Sequence, residues 1–122
     1  MKVLIIDDEE DIRSIARFSL SRVGGMEVED ASSGAEGLRK AETSEPDVVL
    51  LDVMMPVQDG PSVLTALRAN PATARIPIVF LTAKAMSAEV ARLLAMGARG
   101  VLTKPFDPMK LPGLLRELIP EA

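Results

Sequence analysis

Asp7, Asp8, Asp52, Thr82 and Lys104 each stand at or just past the end of a short apolar run, and together they offer three carboxylates, a hydroxyl and an ammonium. Clustered carboxylates with no base beside them suit a hard divalent cation, and Mg²⁺ held by a few oxygens keeps positions open for water and phosphate. A carboxylate beside such an ion can also attack phosphorus and carry the group as an aspartyl phosphate, the metal neutralising the charge that develops. Asp7 and Asp8 would supply part of the cation site, and Asp52 is the best placed nucleophile. Lys104 would pair with one phosphoryl oxygen and Thr82 would donate to another. This chemistry needs positioning and charge but no proton-transfer base, which suits a chain without His. Taken singly, each residue has a plainer explanation. Asp7 and Asp8 could cap a helix, Asp52 could form a turn, Thr82 could end a strand, and Lys104 could be a solvated lysine. Their joint placement behind separate apolar runs is what points to phosphate and metal chemistry.

For these residues to meet, the apolar runs must be neighbouring parallel strands, because ligands of an open α/β sheet bind outside the carboxyl ends of its strands. Val3-Leu4-Ile5-Ile6, Val48-Val49-Leu50-Leu51 and Ile78-Val79-Phe80-Leu81 are continuous, as strands covered on both faces are. Met26-Glu27-Val28-Glu29 and Gly100-Val101-Leu102 are weaker, and the alternation of charge in the former suits an edge strand. Stretches of helical period separate them. Ile12, Ile15, Ala16, Leu20 and Val23 mark one face, with Gly24 as the stop. Ser33 caps a second helix carrying Leu38 and Ala41, and Pro61 opens a third with Val63, Leu64 and Leu67 inward. Ser87 caps a fourth, with Val90, Ala91, Leu94 and Ala95 inward and an end before Gly97. Leu111, Leu114, Leu115, Leu118 and Ile119 stripe a fifth that starts at Asp107-Pro108, where Pro112 would make the first turn irregular. The alternation predicts a doubly wound parallel sheet with helices on both faces and right-handed crossovers. The segment from Asn70 to Pro77 reads as a loop.

Composition narrows the function further. A chain of 122 residues suits one domain, taken as residues 1–122, and 48% apolar with 26% charged residues is ordinary for a soluble globular fold. Three Phe with no Trp or Tyr leave no stacking platform for single-stranded nucleic acid, and a net charge of -4 has the wrong sign for phosphate contacts. No direct nucleic-acid binding is expected. Without His or Cys the chain has no imidazole base, thiol nucleophile, structural zinc or disulfide to offer. The apolar runs are far shorter than the roughly 20 residues needed to cross a bilayer, so no membrane is expected. An acidic stretch from Asp7 to Asp11 behind Met1-Lys2 is unlike a secretory signal, and a cytoplasmic location is expected.

Leu4-Ile5-Ile6-Asp7-Asp8-Glu9, Val49-Leu50-Leu51-Asp52-Val53-Met54-Met55-Pro56, Asp59-Gly60, Phe80-Leu81-Thr82-Ala83 and Lys104-Pro105-Phe106, in that order, resemble the receiver domains of bacterial two-component response regulators. As a set, covering essentially the whole chain, these motifs are specific, and single-domain chemotaxis regulators are the resembling form. The resemblance implies a flavodoxin-like five-stranded sheet of order 2-1-3-4-5 with five helices. It implies phosphorylation of Asp52 from the phosphohistidine of a histidine kinase or histidine phosphotransfer protein. Asp8, Asp52 and the backbone carbonyl of Met54 would hold Mg²⁺ (or Mn²⁺), with Asp7 acting through water. Lys104 would contact the phosphoryl group across a cis bond to Pro105, and Thr82 would be the switch hydroxyl. Val101 stands where many receivers carry an aromatic partner of that threonine, so switching would run through the loop after Thr82 and the fourth helix. The output face, on the fourth helix, fifth strand and fifth helix, would carry Arg92, Val101, Lys110 and Arg116, read by a downstream protein or an output domain. The chain would then be a phosphoacceptor and no enzyme in the usual sense. One alternative is a receiver-like docking or dimerisation module indifferent to phosphorylation. Another is a Mg²⁺-dependent aspartyl-phosphate phosphatase, which wants a second acid where this chain has Met54.

Overall fold

A computed structural model describes residues 1–84 and 86–120. Strands β1 (Lys2–Ile6), β2 (Glu27–Ala31), β3 (Val48–Asp52), β4 (Ile78–Thr82) and β5 (Gly100–Thr103) alternate with helices α1 (Glu10–Phe18), α2 (Gly34–Ser44), α3 (Gly60–Ala69), α4 (Ser87–Ala95) and α5 (Leu111–Leu118). All strand pairs are parallel and the order is β2-β1-β3-β4-β5. The chain leaves β1 toward one edge to make β2, then returns past β1 to build β3 to β5. The reversal therefore falls between β1 and β3, where such sheets open a crevice at their carboxyl ends.

Side chains that alternate along the strands feed two apolar layers. Leu4, Ile6, Val49, Leu51, Ile78 and Phe80 pack with Val63, Leu64, Leu67 and Leu93 on one face. Val3, Ile5, Val48, Leu50, Val79 and Leu81 pack with Ala16, Leu20, Leu111 and Leu115 on the other. Each fully buried aliphatic side chain contributes about 1.5–3 kcal/mol, which is why the three central strands hold the crevice rigidly. The edge strand β2 does not alternate cleanly: Glu27 is exposed, Val28, Glu29 and Asp30 are half-buried and only Ala31 is buried.

Local signals set the ends. The Ser33 hydroxyl caps α2 by accepting the Glu36 N–H at 3.2 Å, while Glu36 Oε1 reaches back past the cap to accept the Ser32 N–H at 2.6 Å. Asp59 accepts the Ser62 N–H at 2.9 Å and Pro61 fills the first turn of α3. A Cβ at Gly60 would lie 2.4 Å from the Asp52 carbonyl oxygen, so a residue without one lets α3 begin directly against the end of β3.

Three helices depart from the sequence expectation. After Phe18 the first helix widens into a π segment (Ser19–Val23), closed by the Gly24 N–H on the Ser19 carbonyl at 3.0 Å. The wider turn carries Val23 off the inner face, and Ile15 is also exposed because the buried stripe runs through Ile12, Ala16, Ser19 and Leu20. Ser87 is the first helical residue of α4 and not its cap; Met86 holds the cap position with no side-chain bond. The inner residues of α4 are Val90 and Leu93, whereas Ala91, Leu94 and Ala95 face out. Its apolar residues offer two overlapping stripes, and the sequence does not say which one meets the sheet. Helix α5 begins at Leu111, because Asp107 to Lys110 close a separate turn in which the Lys110 and Leu111 N–H groups both bond the Asp107 carbonyl. Pro112 thus falls in a first turn that needs no N–H from it, and Leu114, expected inside, is exposed.

Candidate functional site

Asp7 directly follows β1 and Asp52 ends β3, and the register pairs Ile6 with Leu51. Both acids therefore sit side by side on the floor of the crevice, Asp7 at 0% and Asp52 at 3% exposure. Lys104 arrives from beyond β5, its backbone N–H bonded to the Thr82 carbonyl at 2.9 Å. Its side chain crosses the crevice to place Nζ 2.8 Å from Asp7 Oδ2, 3.2 Å from Asp52 Oδ1 and 3.3 Å from Glu9 Oε1. The Lys104–Pro105 peptide is cis.

Charge does not balance here. Asp7, Asp8, Glu9 and Asp52 each bring a carboxylate oxygen within 4.8 Å of the others, and Lys104 is the cation that the described residues set against them. Asp7 Oδ1 accepts the Glu9 N–H at 2.9 Å, and Asp52 Oδ1 accepts the Met54 N–H at 3.3 Å. The other oxygen of each acid, Asp7 Oδ2 and Asp52 Oδ2, is buried with no hydrogen bond among the described residues. Asp7 Oδ2 lies 2.8 Å from the Lys104 ammonium as an ion pair, and Asp52 Oδ2 has no such partner among the described residues. Buried carboxylate oxygens left in this state are costly unless something else satisfies them.

The electrostatics follow. Burial first, and then the charge of Asp7, push the Asp52 carboxyl up to about 7 from an ordinary 3.8, against the pull of Lys104 and the Met54 N–H. Burial pulls the Lys104 ammonium down, but its contacts with Asp7 and Asp52 outweigh that and leave it above its ordinary value. Asp7 and Asp52 form the buried floor while Asp8 and Glu9 form an exposed rim. All the donors are hard oxygens, which fits a divalent cation such as Mg²⁺.

Of the residues expected from sequence, Asp7, Asp8, Asp52 and Lys104 come together. Thr82 is buried at the end of β4, but its hydroxyl is held within its own loop, accepting the Lys84 N–H at 3.0 Å and lying 3.4 Å from the Lys84 carbonyl. It makes no bond to Asp52 among the described residues. The Met54 side chain is exposed and carries no acid, so the second carboxyl that phosphatase chemistry wants is missing at that position. Val101, half-buried on β5 beside Phe80, packs on the first apolar layer. Arg92, Lys110 and Arg116 are all exposed, and Arg116 also donates to the Gly24 carbonyl beyond the π segment. Glu9 is the residue that sequence reasoning overlooked as a member of the acidic cluster. Its signal was its place directly behind Asp7-Asp8.

Comparison with known proteins agrees with this geometry. Residues 3–116 match the family model for the response regulator receiver domain. The alkaline phosphatase synthesis transcriptional regulatory protein PhoP of Bacillus subtilis is 39% identical over 118 residues, covering 97% of this chain and 48% of the relative. The probable transcriptional regulator ycf27 of Guillardia theta is 40% identical over 118 residues, covering 97% of this chain and 45% of the relative. The chain thus spans about half the length of these curated relatives. Among solved structures, chemotaxis protein CheY4 of Vibrio cholerae superposes with a TM-score of 0.89 at 37% identity, covering 96% of this chain and 97% of that one.

Proposed function

From the premise that this chain belongs to the response regulator receiver domain family of two-component signalling, we propose that it accepts a phosphoryl group on Asp52 and thereby switches a protein-binding surface. The observation that carries this reading is Asp52 Oδ2, a buried carboxylate oxygen with no hydrogen bond, beside Asp7 and Lys104 in an acidic crevice. A donor phosphohistidine, on a histidine kinase or a histidine phosphotransfer protein, would present its phosphorus there. One Asp52 oxygen bonds to phosphorus as the phosphorus–nitrogen bond breaks, and the imidazole leaves with the electron pair. Water later cleaves the acyl phosphate and returns the carboxylate. Asp8, Asp52 and the Met54 backbone carbonyl would hold Mg²⁺ or Mn²⁺, with Asp7 acting through water. When bound, the cation offsets the carboxylate charge and neutralises charge developing on the phosphoryl oxygens.

The remaining roles fall to the chain's own groups. Lys104 already stands 3.2 Å from Asp52 and would pair with a phosphoryl oxygen without a long movement. Asp52 must be ionised to attack; beside Lys104 its carboxyl stands at about 7, and a bound divalent cation would favour the ionised form further. The phosphoryl group adds about -1.5 to -2 charges in a confined site. That gives the Thr82 hydroxyl a stronger partner than Lys84, and its departure would release the loop leading into α4. With Val101 in the half-buried place on β5, the movement passes through backbone and α4 rather than an aromatic ring. The surface of α4, β5 and α5 would then present a changed face to a downstream protein or output domain. No helix is long and apolar enough to cross a membrane among the described residues, and we place this signalling in the cytoplasm. Retention of one phosphoryl group per chain, without turnover of a free phosphomonoester, would separate this reading from a phosphatase.

A further inference from the structure

We propose that Arg13, oriented by Asp30, is a positioning residue for the cation site, acting through the peptide between Asp7 and Asp8. The proposal rests on the phosphoacceptor reading and concerns residues outside the acidic cluster. Arg13 lies in α1, one turn beyond the acidic loop, and its side chain is 16% exposed. The guanidinium turns back so that Nη1 donates to the Asp7 carbonyl at 2.9 Å. That carbonyl belongs to the peptide joining the buried acid Asp7 to the rim acid Asp8, so its direction sets where the Asp8 side chain leaves the backbone. On the other side of the same peptide run, the Asp7 N–H bonds the Ala31 carbonyl at 3.1 Å. The acidic loop is thus held from β2 at its start and from α1 at its carbonyl.

Arg13 is itself held. Its Nε lies 3.4 Å from Asp30 Oδ2, and Arg17 Nη1 lies 3.2 Å from Asp30 Oδ1. Lys40 of α2 donates to the Asp30 carbonyl, so Asp30, on the edge strand, gathers cations from two helices. A planar guanidinium can serve a carbonyl and a carboxylate at fixed angles, whereas an ammonium on a flexible stem can serve one or the other. Groups that orient metal ligands in this way typically change affinity by 10–100-fold when removed. Surface pairing of Arg13 with Asp30 alone would contribute little; the bond to the Asp7 carbonyl makes the pair matter to the site.

The test is Mg²⁺ titration by calorimetry on the wild-type chain and on Arg13→Ala, Arg13→Lys, Asp30→Asn and the Arg13→Ala/Asp30→Asn double variant, with urea unfolding of each without metal. We expect Arg13→Ala to weaken Mg²⁺ binding roughly tenfold, Arg13→Lys to recover part of the loss, and Asp30→Asn to show a smaller loss that adds nothing to Arg13→Ala. Wild-type Mg²⁺ affinity in Arg13→Ala, with or without lowered stability, overturns the proposal, as does additivity in the double variant. Should Arg13→Ala fail to fold, Arg13→Lys decides, and wild-type affinity there overturns the proposal too. A wild-type chain that binds no Mg²⁺ overturns both this proposal and the phosphoacceptor reading, while intact wild-type binding with unaffected variants overturns this one alone.

Discussion

The backbone N–H of Lys104 donates to the carbonyl of Thr82 at 2.9 Å, joining the two residues through the main chain before either side chain reaches its partner. Their side chains diverge from that link, the ammonium toward Asp7 and Asp52 and the hydroxyl toward Lys84. Acceptance of charge and movement of the loop are therefore separable. We predict that Thr82→Ala still takes phosphate on Asp52 but transmits less to α4, while costing about 1 kcal/mol for the lost bond to Lys84. Backbone amide shifts of α4 and β5 on phosphorylation, compared between wild type, Thr82→Ala and Thr82→Ser, check this. Equal shifts in wild type and Thr82→Ala would contradict it.

Asp52 gives the metal-free protein a pH signature. Its folded pKa is raised to about 7 from 3.8, so between those values the folded state keeps a proton that the unfolded chain releases. Stability from this group is present below the lower value and is lost as pH rises through the higher one. Urea unfolding from acid to neutral pH without metal is expected to show a decline that Asp52→Asn flattens. The same slope in both proteins would show that burial and Asp7 do not act on Asp52 as described. Added Mg²⁺ is expected to restore stability at neutral pH in the wild type and much less in Asp52→Asn.

Lys104 offsets the mutual repulsion of Asp7 and Asp52. Truncation to Ala leaves two buried acids without their cation, and removing one partner of a buried pair costs about 3–5 kcal/mol. We predict a loss in that range for metal-free Lys104→Ala, with Mg²⁺ recovering a larger share of stability than it adds to the wild type. Urea titrations with and without Mg²⁺ measure both quantities, and a Lys104→Ala variant as stable as wild type without metal would refute the ion-pair description.

Gly60 tests the seating of α3 on β3. Because a Cβ there would stand 2.4 Å from the Asp52 carbonyl oxygen, Gly60→Ala must move either the helix start or the strand end. An overpacking cost of about 1–3 kcal/mol is expected, together with slower phosphorylation, since the displaced backbone carries Asp52. An unchanged melting temperature would show that the loop yields freely.

Much of this architecture is legible in the chain itself. Val48 to Leu51 is continuous and ends in Asp52, so a buried strand and the residue it presents are read together. Met26 to Glu29 alternates with charge, and its last three residues lie in the edge strand β2. The convergence of Asp7, Asp8, Asp52 and Lys104 on one sheet edge then follows from the parallel strand–helix pattern, and the family resemblance supplied only the order of the strands. What escapes the sequence depends on turns of a few degrees or on long side chains. The π segment at Ser19 has no compositional mark, and the face of α4 hinges on Leu93 against Leu94, two residues of one kind. Thr82 stands at the expected position, yet its rotamer is set by the Lys84 N–H. Glu9 is announced only by its place directly behind Asp7-Asp8, and Arg13 meets the Asp7 carbonyl by reach across space, which spacing along a helix does not encode.

The central claim is that Asp52 is the phosphoacceptor. Incubation of the chain with Mg²⁺ and acetyl phosphate, or with a phosphorylated histidine kinase, followed by intact mass and hydroxylamine treatment, measures it most directly. We predict one acid-stable, hydroxylamine-labile phosphoryl group that is lost in Asp52→Asn and depends on the divalent cation. Labelling of Asp52→Asn to the wild-type level, or no labelling of a wild-type chain that binds Mg²⁺, would contradict it.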